Sequence, residues 1–413
     1  MPGRHQSSES RSALPWVLLV VVLLMIAAGV GVGLATRGSS HAGRATPSSA
    51  GPSTPPPSSQ SAPVSSAPVS SSPPASSSSS SSPTSPTTTA APAPTSVTVA
   101  FTGDTLPSDN LQAQALKDGG GASYDFKPML AKIAPLLRSA DWAICHQETP
   151  ISDNDTGLAG YPDFNAPHEL AADERWAGYD ACDTASNHTM DLGAGGVTAT
   201  LDSLDAAGIR HTGSARSATE AAKLAIYDVK GIKIGHIAYT YGLNDHTAPQ
   251  SWMVNLIDVA KIKAAAHALK QAGADVVVVS LHAGTEYDQA PSDYQVSIDN
   301  QIMSSPDVDL IVGAHSHVVQ PVKRLDDGRW IIYSVGNFLA QQDDPTPANR
   351  DGVIMEATFT KADGKTTLTR MGYVPTYVDE PSDVIELAPP VPRLRTITAL
   401  EAMHAPLVDL TPH

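Results

Sequence analysis

Basic residues are scarce in this chain of 413 residues: 26 Lys and Arg stand against 42 Asp and Glu, a formal net charge of −16. The first 95 residues hold more Arg than acid, so the acidity belongs to the remainder of the chain. This deficit excludes nucleic acid as a partner, because gripping a phosphate backbone takes a basic footprint. It also excludes general electrostatic capture of a polyanion. An anionic substrate needs a metal ion or a local basic patch, for which Lys323, Arg324, Arg329 and Arg350 are the candidates. Cysteine is nearly absent, with only Cys145 and Cys182 present. Outside a reducing compartment the two can pair, but spacing alone does not supply the geometry a disulfide requires. Two separate buried thiols are the expectation. Also missing is a clean Ala-x-Ala cleavage site behind the N-terminal apolar run, which argues against a removed signal peptide.

That apolar run, residues 14–36, carries no charge and has Pro15 only at its start. It is long enough to cross a bilayer as a helix. Arg4 and Arg11 precede it and Arg37 and Arg44 come after it, so the positive-inside bias is weak. The reading is a single-pass signal-anchor: residues 1–13 cytoplasmic, 14–36 in the membrane, everything else outside. A cleaved signal peptide, and so a secreted protein, is the alternative. Residues 37–95 are almost wholly Ser, Pro, Thr, Ala and Gly, and 76–82 are all serine. Such a segment has too little apolar surface to offset its ordering entropy, and its prolines favour extended conformations. It reads as a disordered spacer lifting a globular domain off the membrane.

From residue 96 onward strands and helices alternate. Residues 97–101 read as a strand that breaks at Thr102-Gly103-Asp104. Met129, Leu130, Ile133, Leu136 and Leu137 recur like one face of a helix over 126–139. Residues 142–145 form a second strand running into His146-Gln147-Glu148, and 181–185 a third running into Ser186-Asn187-His188. Helices are expected over 197–207, stopped by Gly208, and over 258–271; strands over 232–239, 276–281, 310–312 and 330–334 complete the apolar runs. Alternation of this kind implies parallel pairing with both sheet faces covered. Residues 353–360 and 366–373 alternate as a hairpin does, pointing to a mixed sheet or sandwich. Residues 96–378 are the folded domain, and 379–413, with Pro389, Pro390 and Pro392, an irregular tail.

The polar residues at the strand exits form an ordered set: Asp104, Glu148, Asn187 with His188, His282, and His315 with His317. Ligands gather in the crevice beyond the carboxyl ends of parallel strands. Carboxylates, an amide oxygen and imidazoles together suit Zn²⁺, Mn²⁺ or Fe better than Mg²⁺ or Ca²⁺, which prefer all-oxygen shells.

The motifs Gly103-Asp104, Glu148-Thr149-Pro150, Ser186-Asn187-His188-x-x-Asp191-x-Gly193, His282-x-Gly284-x-Glu286-Tyr287, Gly313-x-His315-x-His317 and Tyr333-Ser334-x-Gly336-Asn337-Phe338 together resemble the CapA family. That family is the capsule or poly-γ-glutamate biosynthesis branch of the calcineurin-like metallophosphoesterases. The resemblance implies an α/β fold, a four-layer α/β/β/α sandwich, and a membrane-attached role at the cell surface. It implies one complete metal position from Glu148, Asn187, His282 and His315, and a weaker one from Asp104, Glu148 and His317. The superfamily's first motif is Asp-x-His, whereas this chain has Asp104-Thr105-Leu106 and lacks the histidine. His188 resembles the histidine that contacts the scissile phosphate and protonates the leaving group. Asp191 either orients His188 or caps the following helix, and Glu286 is an acid/base or a partner for His282. Tyr287 and Asn337 are pocket residues, or for Asn337 a turn cap. His146 is a supporting or merely strand-end group. His211, His236, His246, His267, Tyr241 and Trp252 are assigned to surface or core packing.

Three functions are compatible with this set. One is a phosphoester hydrolase; another is a metal-dependent amide hydrolase or transferase acting on a poly-glutamate-type polymer. The third is a non-catalytic factor that binds an anionic polymer during export, beside membrane-embedded synthase subunits.

Overall fold

The computed structural model describes residues 93–342, 346–380 and 382–412. Among these no helix is long and apolar enough to cross a membrane; the expected anchor and nearly all of the spacer lie outside the described residues.

The chain runs β1 (Thr95–Leu106), α1 (Asp109–Asp118), α2 (Lys127–Leu130), α3 (Ala134–Leu137), β2 (Trp142–Gln147), α4 (Leu170–Ala177), β3 (Ala181–Asp183), α5 (Gly193–Ala207), β4 (Arg210–Thr212) and α6 (Ala218–Ala221). It continues β5 (Ile226–Val229), β6 (Ile232–Thr240), α7 (Val259–Gln271), β7 (Val276–His282), α8 (Asp293–Met303), β8 (Leu310–Ala314), β9 (Val322–Arg324), β10 (Trp330–Ile332) and β11 (Asn337–Ala340). The last elements are β12 (Asp351–Ala362), β13 (Lys365–Val378), β14 (Ile385–Leu387), α9 (Pro390–Leu400) and β15 (Val408–Asp409).

Two mixed sheets result. One is ordered β14-β13-β12-β1-β2-β3-β4, with β11 also on β1 and β15 on β13; the other is β5-β6-β7-β8-β10-β9. β1 to β4 pair in parallel, as do β6, β7, β8 and β10, while β12 and β13 form the long antiparallel hairpin. The period-two alternation of a strand sends successive side chains to opposite faces, and the cores obey it. Val97, Val99 and Phe101 of β1 share one core with Val276 and Val278 of β7 and Leu310 and Val312 of β8, between the sheets. Ala100 faces the other way, into a core with Leu111, Leu170 and Leu201 of α1, α4 and α5. Val277 and Val279 face a third core with Ile262, Leu269 and Ile302 of α7 and α8. Helices thus cover the outer face of each sheet.

Three expectations are corrected. The single helix over 126–139 is two short helices, α2 and α3, each with a proline in its first two positions. Pro135 has no N–H to continue a helix and its ring crowds the preceding turn; the apolar spacing survives because Met129, Leu130, Ile133 and Leu137 still enter one core. The tail is not wholly irregular: α9 forms there with Pro389 as its N-cap. Prolines fit a first helical turn, where the N–H has no intrahelical partner. Finally, Cys145 and Cys182 form a disulfide. They are direct register partners on the parallel pair β2 and β3, with Cα atoms 4.5 Å apart, within the usual disulfide range.

Candidate metal centre

All six predicted ligands lie at the carboxyl ends of strands from both sheets. Asp104 is on β1, Glu148 comes after β2, Asn187 after β3, His282 ends β7, and His315 and His317 come after β8. Two glycines permit the close approach. A Cβ at Gly103 would sit 1.7 Å from the Gly336 carbonyl oxygen, and one at Gly313 would sit 1.9 Å from that of Tyr333. Only a residue without a side chain lets these backbones pass. Past Gly313 the chain turns sharply: His315 has φ 91° and His317 φ 55°. Left-handed backbone costs a non-glycine residue energy and concentrates at functional sites.

The donor atoms converge. His282 Nε2 lies 2.6 Å from Asn187 Oδ1 and 3.7 Å from Glu148 Oε1. Ligands bound at about 2.1 Å from one tetrahedral ion stand roughly 3.4 Å apart; the His282–Glu148 separation is close to that, while His282 and Asn187 are at hydrogen-bond distance. The His315 ring centroid is 4.7 Å from that of His282. A second cluster joins Asp104, Glu148 and His317, with His317 Nδ1 at 3.0 Å from both Asp104 Oδ2 and Asn337 Oδ1. Leu106 lines the adjoining cleft, where the motif of the resemblance has its missing histidine.

The fit to a cation rests on the partners these atoms lack. Both Glu148 carboxylate oxygens, Asp104 Oδ1 and His315 Nδ1 are buried with no hydrogen-bond partner. Buried carboxylates are ordinarily paired or bound to metal, and this mixed oxygen and nitrogen set suits a divalent transition ion. The electrostatics show the same deficit. Burial, reinforced by Asp104, pushes the Glu148 carboxyl up to about 7. Burial together with neighbouring imidazoles holds His282 well below its usual range and His315 down to about 3. For His317 the burial penalty is outweighed by Glu148 and Asp104, which raise it to about 9. Burial opposes ionisation of Asp104, but His317 outweighs it and keeps the carboxyl below its ordinary value.

Beside the cluster, His188 Nδ1 is 2.7 Å from Asp191 Oδ2, which also accepts from the Phe164 N–H at 2.8 Å. The N-cap of α5 is Leu192, not Asp191, so Asp191 serves His188. Burial lowers the His188 pKa, but Asp191 and Glu148 more than compensate and raise it. His188, Glu286, Tyr287, His317 and Leu106 line one cleft of about 490 Å³. Glu286 is exposed and clusters with His315 and His317; it is not the partner of His282, whose Nδ1 meets His146 Nε2 at 2.8 Å. Asn337 both holds His317 and caps a turn: its Oδ1 lies 3.0 Å from His317 Nδ1, and its Nδ2 donates to the Asn349 carbonyl at 2.7 Å in the helical turn Pro347–Arg350. None of Lys323, Arg324, Arg329 and Arg350 lines the cleft.

Several neighbours went unread in the sequence. Asp183 hydrogen-bonds His146 Nδ1; burial disfavours the charged His146, yet Asp183 raises it to about 9. Asn244 Oδ1 accepts from Asn187 Nδ2 at 3.1 Å. Tyr241 is no packing residue: its ring lies 4.6 Å from His315 and the residue is 43% exposed. His246 Nε2 approaches Asp191 Oδ1 at 3.9 Å. One signal was present for Asp183: Cys145-His146 and Cys182-Asp183 are matching strand ends.

Residues 98–342 match the family model described as bacterial capsule synthesis protein PGA_cap. The capsule biosynthesis protein CapA of Bacillus anthracis is 28% identical over 231 residues, covering 54% of this chain and 55% of that protein. The PGA biosynthesis protein CapA of Bacillus subtilis strain 168 is 25% identical over 264 residues, covering 60% and 64%. This chain thus spans less than two thirds of either relative's length. Among solved structures, the calcineurin-like phosphoesterase YfkN from Bacillus subtilis aligns at 14% identity and a TM-score of 0.39, over 68% of this chain and 90% of that one. With more than half of its length matched by the family model, the chain belongs to the bacterial capsule synthesis protein PGA_cap family.

Proposed function

We propose that this chain is a metal-dependent hydrolase of metallophosphoesterase type, working at the cell surface on a phosphoester or amide of a capsule or poly-glutamate-type polymer. The observation that carries this reading is Glu148: a fully buried carboxylate with both oxygens unpartnered, facing Asn187, His282, Asp104 and His317. Glu148, Asn187, His282 and His315 would hold one Mn²⁺, Zn²⁺ or Fe ion, and Asp104, Glu148 and His317 a weaker second. When bound, such an ion supplies an activated water and a Lewis acid for phosphoryl or carbonyl oxygen. His188 stands at the cleft with its Nδ1 held by Asp191, which leaves Nε2 to give a proton to the leaving group. Among the described residues the cleft is lined by Asp109 and Glu286 and by no Lys or Arg. An anionic reacting group is therefore recognised by the ions and His188 rather than by a basic pocket. Residues 14–36 and 37–95 support attachment to the membrane with the domain outside, next to synthase subunits embedded in it.

The test is metal content and turnover of the full chain after reconstitution with Mn²⁺, Zn²⁺ or Fe²⁺. We expect one or two ions per chain, lost in His282→Ala, and metal-dependent cleavage of an aryl phosphate diester or a poly-glutamate chain. His188→Ala keeps the ions and loses about 10²–10⁴-fold in rate. A folded protein that takes up no ion overturns the hydrolase and leaves a polymer-binding assembly factor.

A further inference from the structure

Behind the ligand His282 lies a second line of buried polar groups with no place in the chemistry above. His282 Nε2 faces Asn187 and Glu148, while its Nδ1 meets His146 Nε2 at 2.8 Å, and His146 Nδ1 meets Asp183 Oδ1. The two rings lie within 24° of one plane, centroids 4.8 Å apart, as an edge-to-edge hydrogen bond requires. His146 and Asp183 are register partners on β2 and β3, and the preceding pair, Cys145 and Cys182, is the disulfide. All three polar side chains are buried, so the row is held on rigid strands away from water.

We infer that Asp183 and His146 are positioning residues that fix the orientation of the His282 ring, so that its Nε2 faces Glu148 and Asn187. This inference rests on the metal reading of the site. His146 Nε2 meets the one ring nitrogen of His282 that faces away from Glu148 and Asn187, and Asp183 fixes the His146 ring in turn. Ligating histidines ordinarily donate their other N–H to a carboxylate, carbonyl or water; here an imidazole is interposed, and the carboxylate acts through it. The remaining contact of His146 Nε2, with Asp104 Oδ1, is longer at 3.8 Å.

The test is the dissociation constant of Zn²⁺ and of Mn²⁺, measured on the full chain by competition with a chelator of known affinity. Wild type is compared with His146→Ala, His146→Gln and Asp183→Asn, and the melting temperature of each is taken in excess chelator. Removing such a supporting group costs about 10–100-fold in metal affinity. That loss is expected for His146→Ala and Asp183→Asn with the ion count per chain unchanged. His146→Gln recovers most of it, because its side-chain amide can still hydrogen-bond His282 Nδ1. Unchanged affinity overturns the inference, as does an equal loss in His146→Gln. Loss of a whole ion in His146→Ala also overturns it, making His146 a ligand. If His146→Ala does not fold, Asp183→Asn decides alone. A wild-type chain that binds no ion refutes the metal centre and this inference with it; tight wild-type binding with matching variants refutes only the inference.

Discussion

Glu174 offers a sharp test of the packing argument, because its cost is set by burial and not by any ion. It lies on α4 at 1% exposure, with no basic group acting on its carboxyl. Burial pushes its carboxyl up to about 8 from 4.5, with the Thr105 side chain opposing and Asp173 adding to the rise. The sign comes from linkage. The folded state favours the protonated form, so the stability is fully present below 4.5 and is lost as pH rises through 8. At about 1.4 kcal/mol per pH unit, the gap is worth about 5 kcal/mol as an upper bound. Glu174→Gln keeps the shape and removes the ionisation. The variant should nearly match wild type at pH 5 and exceed it at pH 9, the difference widening by on the order of 4 kcal/mol. Urea titrations at both pH values, monitored by tryptophan fluorescence in excess chelator, measure this; groups common to both proteins cancel. A stability difference that does not move with pH would refute the claim that Glu174 is buried without a compensating charge.

Two further outcomes are expected from the site's construction. Leu106→His restores an imidazole beside Asp104 and is expected to raise the count of tightly bound Mn²⁺ or Zn²⁺ by one per chain, read by elemental analysis after dialysis; an unchanged count would show that Leu106 does not occupy the missing ligand's place. Gly313→Ala drives a methyl into the Tyr333 carbonyl and should cost about 1–3 kcal/mol or more by thermal denaturation, with weaker ion binding; a neutral result would contradict the close passage of those two backbones.

The strands were legible where the chemistry of their side chains is one-dimensional. Val276 to His282 and Leu310 to Ala314 are apolar runs in the sequence and buried strands in the fold, and their polar exits marked His282, His315 and His317 as candidate ligands. What stayed hidden depends on register. Whether Cys145 faces Cys182, and His146 faces Asp183, is decided by how β2 aligns with β3, and a shift of one residue would move each to the other face. Tyr241 and Asn244 were missed because they lie beyond the end of β6, in a loop whose position is fixed by tertiary packing alone. Pro389, Pro390 and Pro392 misled for a different reason: proline breaks a helix inside it and fits one at its start.

The distribution of donors between the sheets explains why their sequence order looks scattered. Asp104, Glu148 and Asn187 come from the end of the β1-β2-β3 ladder, and His282, His315 and His317 from the end of β7 and β8. One sheet therefore contributes only oxygen donors and the other only imidazoles. Burying acids alone at one edge would leave Asp104 and Glu148 to repel each other, as the raised Glu148 carboxyl already records. Placing imidazoles on the facing sheet partly offsets that repulsion: His317 meets Asp104 at 3.0 Å, and it is the first neutralising charge on Glu148. The offset is incomplete, because His282 and His315 are held neutral by their own burial and bring lone pairs instead of charge. An edge with two carboxylates, one charged imidazole, two neutral imidazoles and one amide oxygen is therefore one positive charge short and rich in donors. A divalent cation would supply that missing charge, and would tie the two sheets together at the point where their shared apolar core ends.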